Sequence, residues 1–320
     1  MFLVGCATAL KKVEDLPPPP TDFEQKIETA TTPAETTEPV APPPPVTAQK
    51  KAKKKKLAPK APAPEVFSYE PKLWPFGVGE KITLVLRYGV IEGGIATLEV
   101  DEPKLIDGQT MIHYIGRVKS SKMLEFFYKV DDTMESWVTA DHHLTRRMEI
   151  RQLESNLWGR RIVLWDQAKN IAKYYSTQTN AKNETREIRR EDSITPFAQD
   201  VFSALYFYRF IQDPRTITFP IHDRWKNWNN ELTYMGEETI TVPAGTFLTD
   251  RFKMLPRVEG QLQPQGDVEI WTMKDQSRVL VQFKAKIRVG AITGELKEYI
   301  PGQAPTWPLP RLKTPLSSQP

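Results

Sequence analysis

The chain has 320 residues, a formal net charge of +4 and a single cysteine. Seven lysines fall between Lys50 and Lys60, so the remainder is net acidic and the basic balance belongs to one short run. This argues against a nucleic-acid partner, which calls for a basic face on a folded module, and a lone thiol excludes an internal disulfide framework. Prolines concentrate before Lys72 and after Tyr299, leaving a stretch long enough for one large domain with its own core.

At the N-terminus, Leu3-Val4-Gly5-Cys6 resembles the lipobox of bacterial lipoproteins, in which the cysteine becomes the acylated first residue. The resemblance implies a lipid anchor at Cys6. Ala7 rather than Asp follows it, which in lipoproteins of enteric bacteria goes with outer-membrane sorting, so the expected location is the outer membrane, facing the periplasm. Met1 to Gly5 supply neither a charged n-region nor a full apolar h-region, and a longer signal peptide is expected upstream. Residues 1–6 then read as a signal remnant and 7–72 as a disordered tether. Its proline runs, Pro17 to Pro20 and Pro42 to Pro45, bury too little apolar surface to fold and favour an extended spacer. Lys53, Lys54, Lys55 and Lys56 head the basic run. They are either a solvated, self-repelling stretch or a contact with an anionic surface, lipid headgroups or cell-wall carboxylates.

Residues 73–300 read as a β-rich domain. In KITLVLRYGV from Lys81, Ile82, Leu84, Leu86 and Tyr88 alternate with polar or outward positions, the period of a half-buried strand. Gly93-Gly94 reads as a turn or bulge, and Asp107-Gly108 as the next turn. Further strands are predicted at Phe126–Val130, Ser136–Thr139, Leu144–Leu153, Arg160–Trp165 and Ile171–Ser176, with Asp131-Asp132 as a turn and Thr179 to Asp192 as a polar connection. More follow at Thr216–Pro220, Glu231–Met235, Glu238–Val242, Phe247–Leu255, Val268–Met273, Val279–Val289 and Glu295–Tyr299, then a disordered proline-rich tail over 301–320. This spacing suggests consecutive antiparallel hairpins.

One stretch breaks the pattern. From Thr195 to Ile211, TPFAQDVFSALYFYRFI is apolar on almost every side, and a helix of that kind is buried all round. Thr195 suits the N-cap, Pro196 the first helical position, and Asp213-Pro214 the stop. The expected fold class is mainly β: a curved antiparallel sheet, half-barrel or open barrel, wrapped around this one buried helix.

Four segments together, GEKITLVLRYGVIEGGIATLEV, DVFSALYFYRF, GEETITVPAGTF and EIWTMKDQSRVLVQFKAKIRVGAITGELKEY, resemble the bacterial envelope family known as domain of unknown function 3108, over roughly Phe76 to Ile300. The resemblance implies an envelope location and this architecture, and no reaction. More loosely, the plan is similar to the half-barrel of the periplasmic lipoprotein carriers, whose curved sheet can hold acyl chains.

The residues offer little chemistry. His113, His142, His143 and His222 lack metal-ligand spacing and read as ordinary surface histidines. No nucleophile or phosphate-loop motif is present, so neither a catalytic residue, a metal nor a cofactor is expected. Asp200 and Arg209, nine residues apart on an apolar helix, must each find a partner in the sheet or face a wet opening. They are either anchors between helix and sheet or ligand contacts. Trp225 and Trp228, in the polar run HDRWKNWNNE, either cap the open end of the core or bind a sugar or protein partner. Trp158, Trp165 and Trp271 sit in strand patterns and are expected in the core. The expected function is a lipid-anchored, non-catalytic binding or assembly module for an apolar ligand or an envelope protein. The alternatives are a structural protein bridging outer membrane and cell wall and, behind it, an envelope hydrolase.

Overall fold

A computed structural model of the protein describes residues 12–29, 66–211, 217–258, 261–262, 267–287, 290–306 and 308–315. Cys6 and the lysine run lie outside the described residues. In chain order the strands are β1 (Ile27–Thr29), β2 (Val66–Tyr69), β3 (Lys81–Tyr88), β4 (Ile91–Ile106), β5 (Gln109–Ser120), β6 (Asp131–Thr139), β7 (Thr145–Leu153), β8 (Leu157–Asp166), β9 (Ile171–Asn180) and β10 (Thr185–Ser193). After the central apolar stretch come β11 (Ile217–Asp223), β12 (Lys226–Val242), β13 (Gly245–Val258), β14 (Gln261–Leu262), β15 (Val268–Met273), β16 (Leu280–Lys286), β17 (Ala291–Ile300) and β18 (Leu312–Pro315). The helices are α1 (Lys122–Glu125) and α2 (Ser203–Phe207), the latter continuing as a 3₁₀ turn, Tyr208–Phe210.

One antiparallel sheet dominates, ordered β10-β9-β8-β7-β6-β5-β4-β3-β17-β16-β15-β13-β12-β11. Nearly every neighbour is joined by a hairpin. The long-range ladder between β3 and β17 stitches the two halves together, pairing Leu84 with Leu296 and Ile82 with Tyr299. The sheet curves and stays open, with β10 and β11 as its edges. The segment after β10 crosses between them: Ile194 N donates to Asn170 O at 2.8 Å, Gln199 N to Pro220 O at 2.9 Å, and His222 N to Gln199 O at 2.9 Å.

The concave face holds the core. Phe202, Tyr206, Phe207 and Phe210 of the central stretch are buried against Phe76, Ile82, Leu84, Ile112, Tyr114 and Phe252. Tyr114 and Tyr206 stack with ring centroids 3.9 Å apart. The buried helix is therefore present, but it is shorter than predicted. Residues 195–202 are not helical, and Phe197 has φ 63°. Thr195 is not the cap. The side chain of Asp200 does that work, its Oδ1 accepting from Phe202 N at 2.7 Å and Ser203 N at 2.8 Å.

Other predictions also give way. Phe126–Val130 is not a full strand: Phe126 and Phe127 follow α1 and stand 88% and 80% exposed. Asp131-Asp132 opens β6 instead of turning, and the polar connection after Thr179 contains the edge strand β10. The first hairpin reverses at Gly89, φ 58°, while Gly93-Gly94 lies beside a register shift within the β3–β4 ladder. Gly94 is required there because a Cβ would fall 2.2 Å from Lys119 O. Part of the expected tether docks on the convex face: Phe23 packs on Ile162 and Tyr175, and β1 pairs with β4. Part of the tail is likewise ordered, since β18 pairs with β2.

Candidate functional site

The curved sheet and the short helix do not fill the space between them. A cavity of ≈ 460 Å³ remains on the side of the helix facing β11–β16, within the range of about 300–1,000 Å³ typical of small-molecule sites. Its walls follow from strand periodicity. Inward residues of β3 and β4 (Leu84, Ala96, Leu98) form one side, and those of β15 and β16 (Val268, Ile270, Leu280, Phe283, Ala285) the next. Phe219 and Ile221 of β11, Trp228 and Leu232 of β12, and Met254 of β13 close the other side. The helix contributes Ala204 and Leu205, the 3₁₀ turn after it Tyr208, and the segment before it Val201. Tyr208 turns its hydroxyl away, donating to Arg278 O at 3.2 Å. Among the lining residues, only Asp223 and Asn230 carry a carboxyl or amide side chain.

Of the four residues proposed from sequence to contact a ligand or partner, one lines this cavity. Trp228 does so with its indole N–H donating to Asp223 O at 3.3 Å. Trp225 does not; it packs on Tyr174 at 4.9 Å, with the Arg190 guanidinium 5.1 Å over its ring. Arg224 and Trp225 both have positive φ, 46° and 65°, so this tight hairpin turn is made by two bulky residues held in place by that docking.

Asp200 and Arg209 point into the protein. Asp200 is fully buried, and its Oδ2 accepts from Ser136 Oγ at 2.6 Å on β6 and from Thr145 Oγ1 at 3.0 Å on β7. Arg209 donates to Glu80 Oε1 at 2.6 Å and Oε2 at 2.9 Å, to Pro75 O at 2.9 Å and to Ser277 O at 2.9 Å. It borders a void of ≈ 20 Å³ that shares Leu98, Leu205, Tyr208, Ile270 and Leu280 with the large cavity. Both side chains thus bond to elements of the sheet and its loops. The partner of Arg209, Glu80, carried only a positional signal in the sequence, a charged residue just after Gly79 where the first strand begins.

A family model described as a protein of unknown function, DUF3108, matches residues 83–297, from β3 through most of β17. The chain belongs to the DUF3108 family. No curated protein matches it significantly in sequence. Among solved structures, this DUF3108 member is similar to a β-barrel-like protein of domain of unknown function 1849 from Brucella abortus, at 8% identity and TM-score 0.41, over 71% of this chain and 99% of that one. It is also similar to a candidate lipoprotein from Parabacteroides distasonis, at 10% identity and TM-score 0.32, over 71% and 99%. A candidate exported protein with a YmcC-like fold from Bacteroides fragilis matches at 9% identity and TM-score 0.32, over 72% and 99%.

The titratable groups with large shifts lie away from the cavity. Asp132 is raised to about 6 by burial; the Leu153 N–H bond opposes this, and the neighbouring Glu154 and Asp131 reinforce it. His113, His143 and His222 are buried, which corrects the expectation of surface histidines. No group of three or more His, Cys, Asp or Glu residues able to hold a metal occurs among the described residues. His143, next to the helix, sits 2.9 Å from the Tyr114 hydroxyl, and its own carbonyl accepts from Gln199 Nε2 at 2.9 Å. Burial lowers its pKa to about 4. An unfolded histidine charges near 6.5. The unfolded chain therefore takes the proton first, and this contribution to stability is whole above pH ~6.5 and lost between there and pH ~4, by about 3 kcal/mol. Asp132 pulls the opposite way, so the effect is isolated by substitution. In His143→Asn, whose side chain tolerates the φ of 54° at this position, the drop in stability from about pH 7.5 to about pH 5 should shrink by about 2 kcal/mol. Denaturant titrations at both pH values read it, and an unchanged drop would contradict a neutral buried imidazole.

Proposed function

We propose that this DUF3108 domain is a non-catalytic binding module for an apolar ligand, moored to the bacterial envelope through Cys6 and the proline-rich tether. The single observation that carries the reading is the ≈ 460 Å³ cavity, walled by aliphatic and aromatic side chains from seven strands and the central helix. An apolar space of this size that stays unfilled forfeits dispersion contacts and destabilises the fold, and a hydrocarbon ligand restores them. The lipobox-like Leu3-Val4-Gly5-Cys6 supports an outer-membrane lipoprotein facing the periplasm, and the tether gives the domain reach from that anchor.

The test is titration of the full chain with 1,6-diphenylhexatriene, a neutral hydrocarbon whose fluorescence rises out of water. A saturable signal with one site per chain is expected. Ala285→Trp, which places an indole into the space from a half-buried wall position, should weaken binding at least about tenfold, equivalent to ~1.4 kcal/mol. A signal that never saturates, or one that the indole leaves untouched, would remove the cavity as the site.

A further inference from the structure

Exposed apolar side chains are spread unevenly over the surface. Fourteen large ones stand exposed among the described residues, and nine of them gather at one end of the sheet. In an antiparallel sheet, alternate hairpin connections fall at the same end. The order β6-β5-β4-β3-β17-β16 therefore sets three connections side by side: the β3–β4 turn, the β5–β6 connection that holds α1, and the β16–β17 connection. Val90, 95% exposed, tops the first, with Tyr88 and Ile91 to either side. Met123, Phe126 and Phe127 stand out from the second, and Ile287 and Ile292 flank the third. A groove of ≈ 250 Å³ joins them, with Leu86, Val118, Leu124 and Val130 in its walls.

The cluster is held in place. Ser121 caps α1, its Oγ accepting from Leu124 N at 3.2 Å and donating to Glu92 O at 3.0 Å, so the short helix is tied to the start of β4. Gly290 lies so near the Tyr88 ring that an added Cβ would come within 3.1 Å of it. Fixed, exposed hydrocarbon of this extent marks a surface that something covers, and the charge around it indicates what. Outside the Lys50–Lys60 run the chain is net acidic, yet this end carries Lys119, Lys122, Lys284 and Lys286, all exposed. Of the acids beside them, Asp131 is already paired with Lys119 at 3.3 Å and Glu92 with Arg87 at 3.7 Å. Protein–protein interfaces are poor in lysine. Aromatic tips set among lysines are instead the composition of an interfacial anchor. The rings enter the boundary between headgroups and acyl chains, and the ammonium groups meet anionic headgroups.

We propose that this end of the sheet docks on an anionic phospholipid bilayer, with Val90, Phe126 and Phe127 inserted at the headgroup boundary and the four lysines on the headgroups. The contact belongs to the folded domain and is separate from an acyl anchor at Cys6. The cavity reaches the same end: Val268 and Ala285 of its wall pair with each other, and Ala285 pairs with Ile292 of the exposed cluster. Docking therefore brings the cavity wall to the bilayer, the source of an apolar ligand. That last step rests on the reading of the cavity as a ligand site; the docking itself does not.

The experiment uses the full chain with Cys6→Ser, which removes the expected lipidation site and the single thiol together. One new cysteine is then placed at Phe127→Cys or, as a control, at Leu248→Cys, an exposed position near the opposite end of β13. Each is labelled with nitrobenzoxadiazole, whose emission rises and shifts to the blue out of water. Vesicles of phosphatidylcholine and phosphatidylglycerol should brighten the label on Phe127→Cys and leave that on Leu248→Cys unchanged. In co-sedimentation with the same vesicles, Phe126→Ser/Phe127→Ser and Lys122→Glu/Lys286→Glu should each bind at least about tenfold more weakly than the Cys6→Ser chain. All four positions are exposed, so the unfolding midpoints should stay at the wild-type value. Equal brightening at both labels, or at neither, would overturn the proposal. So would undiminished binding by either double variant, which would give the contact to the intact Lys50–Lys60 run. Diphenylhexatriene titration without vesicles reads the cavity alone, so either reading can fail without the other.

Discussion

Replacing Arg209 by methionine is expected to destabilise the protein by about 3–5 kcal/mol, the range for removing one partner of a buried ion pair. Arg209 and Glu80 are 2% and 1% exposed. Their two parallel bonds, 2.6 and 2.9 Å, make the forked geometry in which guanidinium and carboxylate bind most strongly. The same guanidinium lies 5.4 Å from the Phe76 ring centre and 5.5 Å from that of Tyr206, so its charge also faces a pair of aromatic rings. Methionine keeps the aliphatic stem and removes the charged fork. Glu80 would then lose its cation and keep the Tyr299 hydroxyl at 3.3 Å. The pair ties the end of the central helix to the start of β3 and, through Ser277 O, to the loop before β16. Denaturant unfolding measures the loss. The double variant Glu80→Leu/Arg209→Met should recover part of it, because an apolar pair avoids the stranded charge. A loss below about 1 kcal/mol, the scale of an exposed pair, together with impaired ligand binding, would return Arg209 to the role of ligand contact.

Much of this architecture can be read in the sequence, because period-two alternation is a local signal. The strand at Lys81, the returns after it and the C-terminal run of hairpins all stand where inward residues repeat every second position. The burial of the central stretch is equally legible, from its unbroken apolar character. Its conformation is not. Ile194 and Gln199 give their backbone N–H groups to Asn170 and Pro220, and these long-range bonds compete successfully with the intrahelical ones. The apolar side chains there are buried whether or not the backbone coils, so composition alone overstates the helix.

The other misses share a cause. Strand β10, with Arg186, Glu187, Arg189 and Arg190 in sequence, carries no hydrophobic alternation because it is an exposed edge, where charge discourages pairing with other chains. Strand β18 and the docked Phe23 lie in segments dominated by proline, where single apolar residues carry the packing. The cavity is a property of the space between elements, and no local pattern encodes an unfilled volume. One polar residue of its wall does leave a trace: Asn230 breaks the inward series of Trp228 and Leu232. That trace means something only once β12 is known to be a strand facing a void.

The helix start governs that void, and Asp200→Ala should cost about 3–5 kcal/mol, since several buried donors lose their acceptor at about 1–3 kcal/mol each before relaxation. Those donors are Phe202 N, Ser203 N, Ser136 Oγ and Thr145 Oγ1, all in buried positions. Two of the bonds cap α2 and two pin it to β6 and β7, so a single carboxyl group both starts the helix and fixes where it sits. Asp200→Asn should be far milder, about 1 kcal/mol, because the amide oxygen keeps the cap and the two hydroxyls rotate to accept from its NH₂. The alanine variant should also weaken diphenylhexatriene binding, since Val201, Ala204 and Leu205 hang their side of the cavity on this cap. Unfolding curves and probe titrations on the same two variants separate the roles. If asparagine is as damaging as alanine, the negative charge of Asp200 and not its hydrogen bonding is what matters. If alanine unfolds at nearly the wild-type denaturant concentration, the helix is held by its aromatic packing alone, and the wall of the cavity does not depend on Asp200.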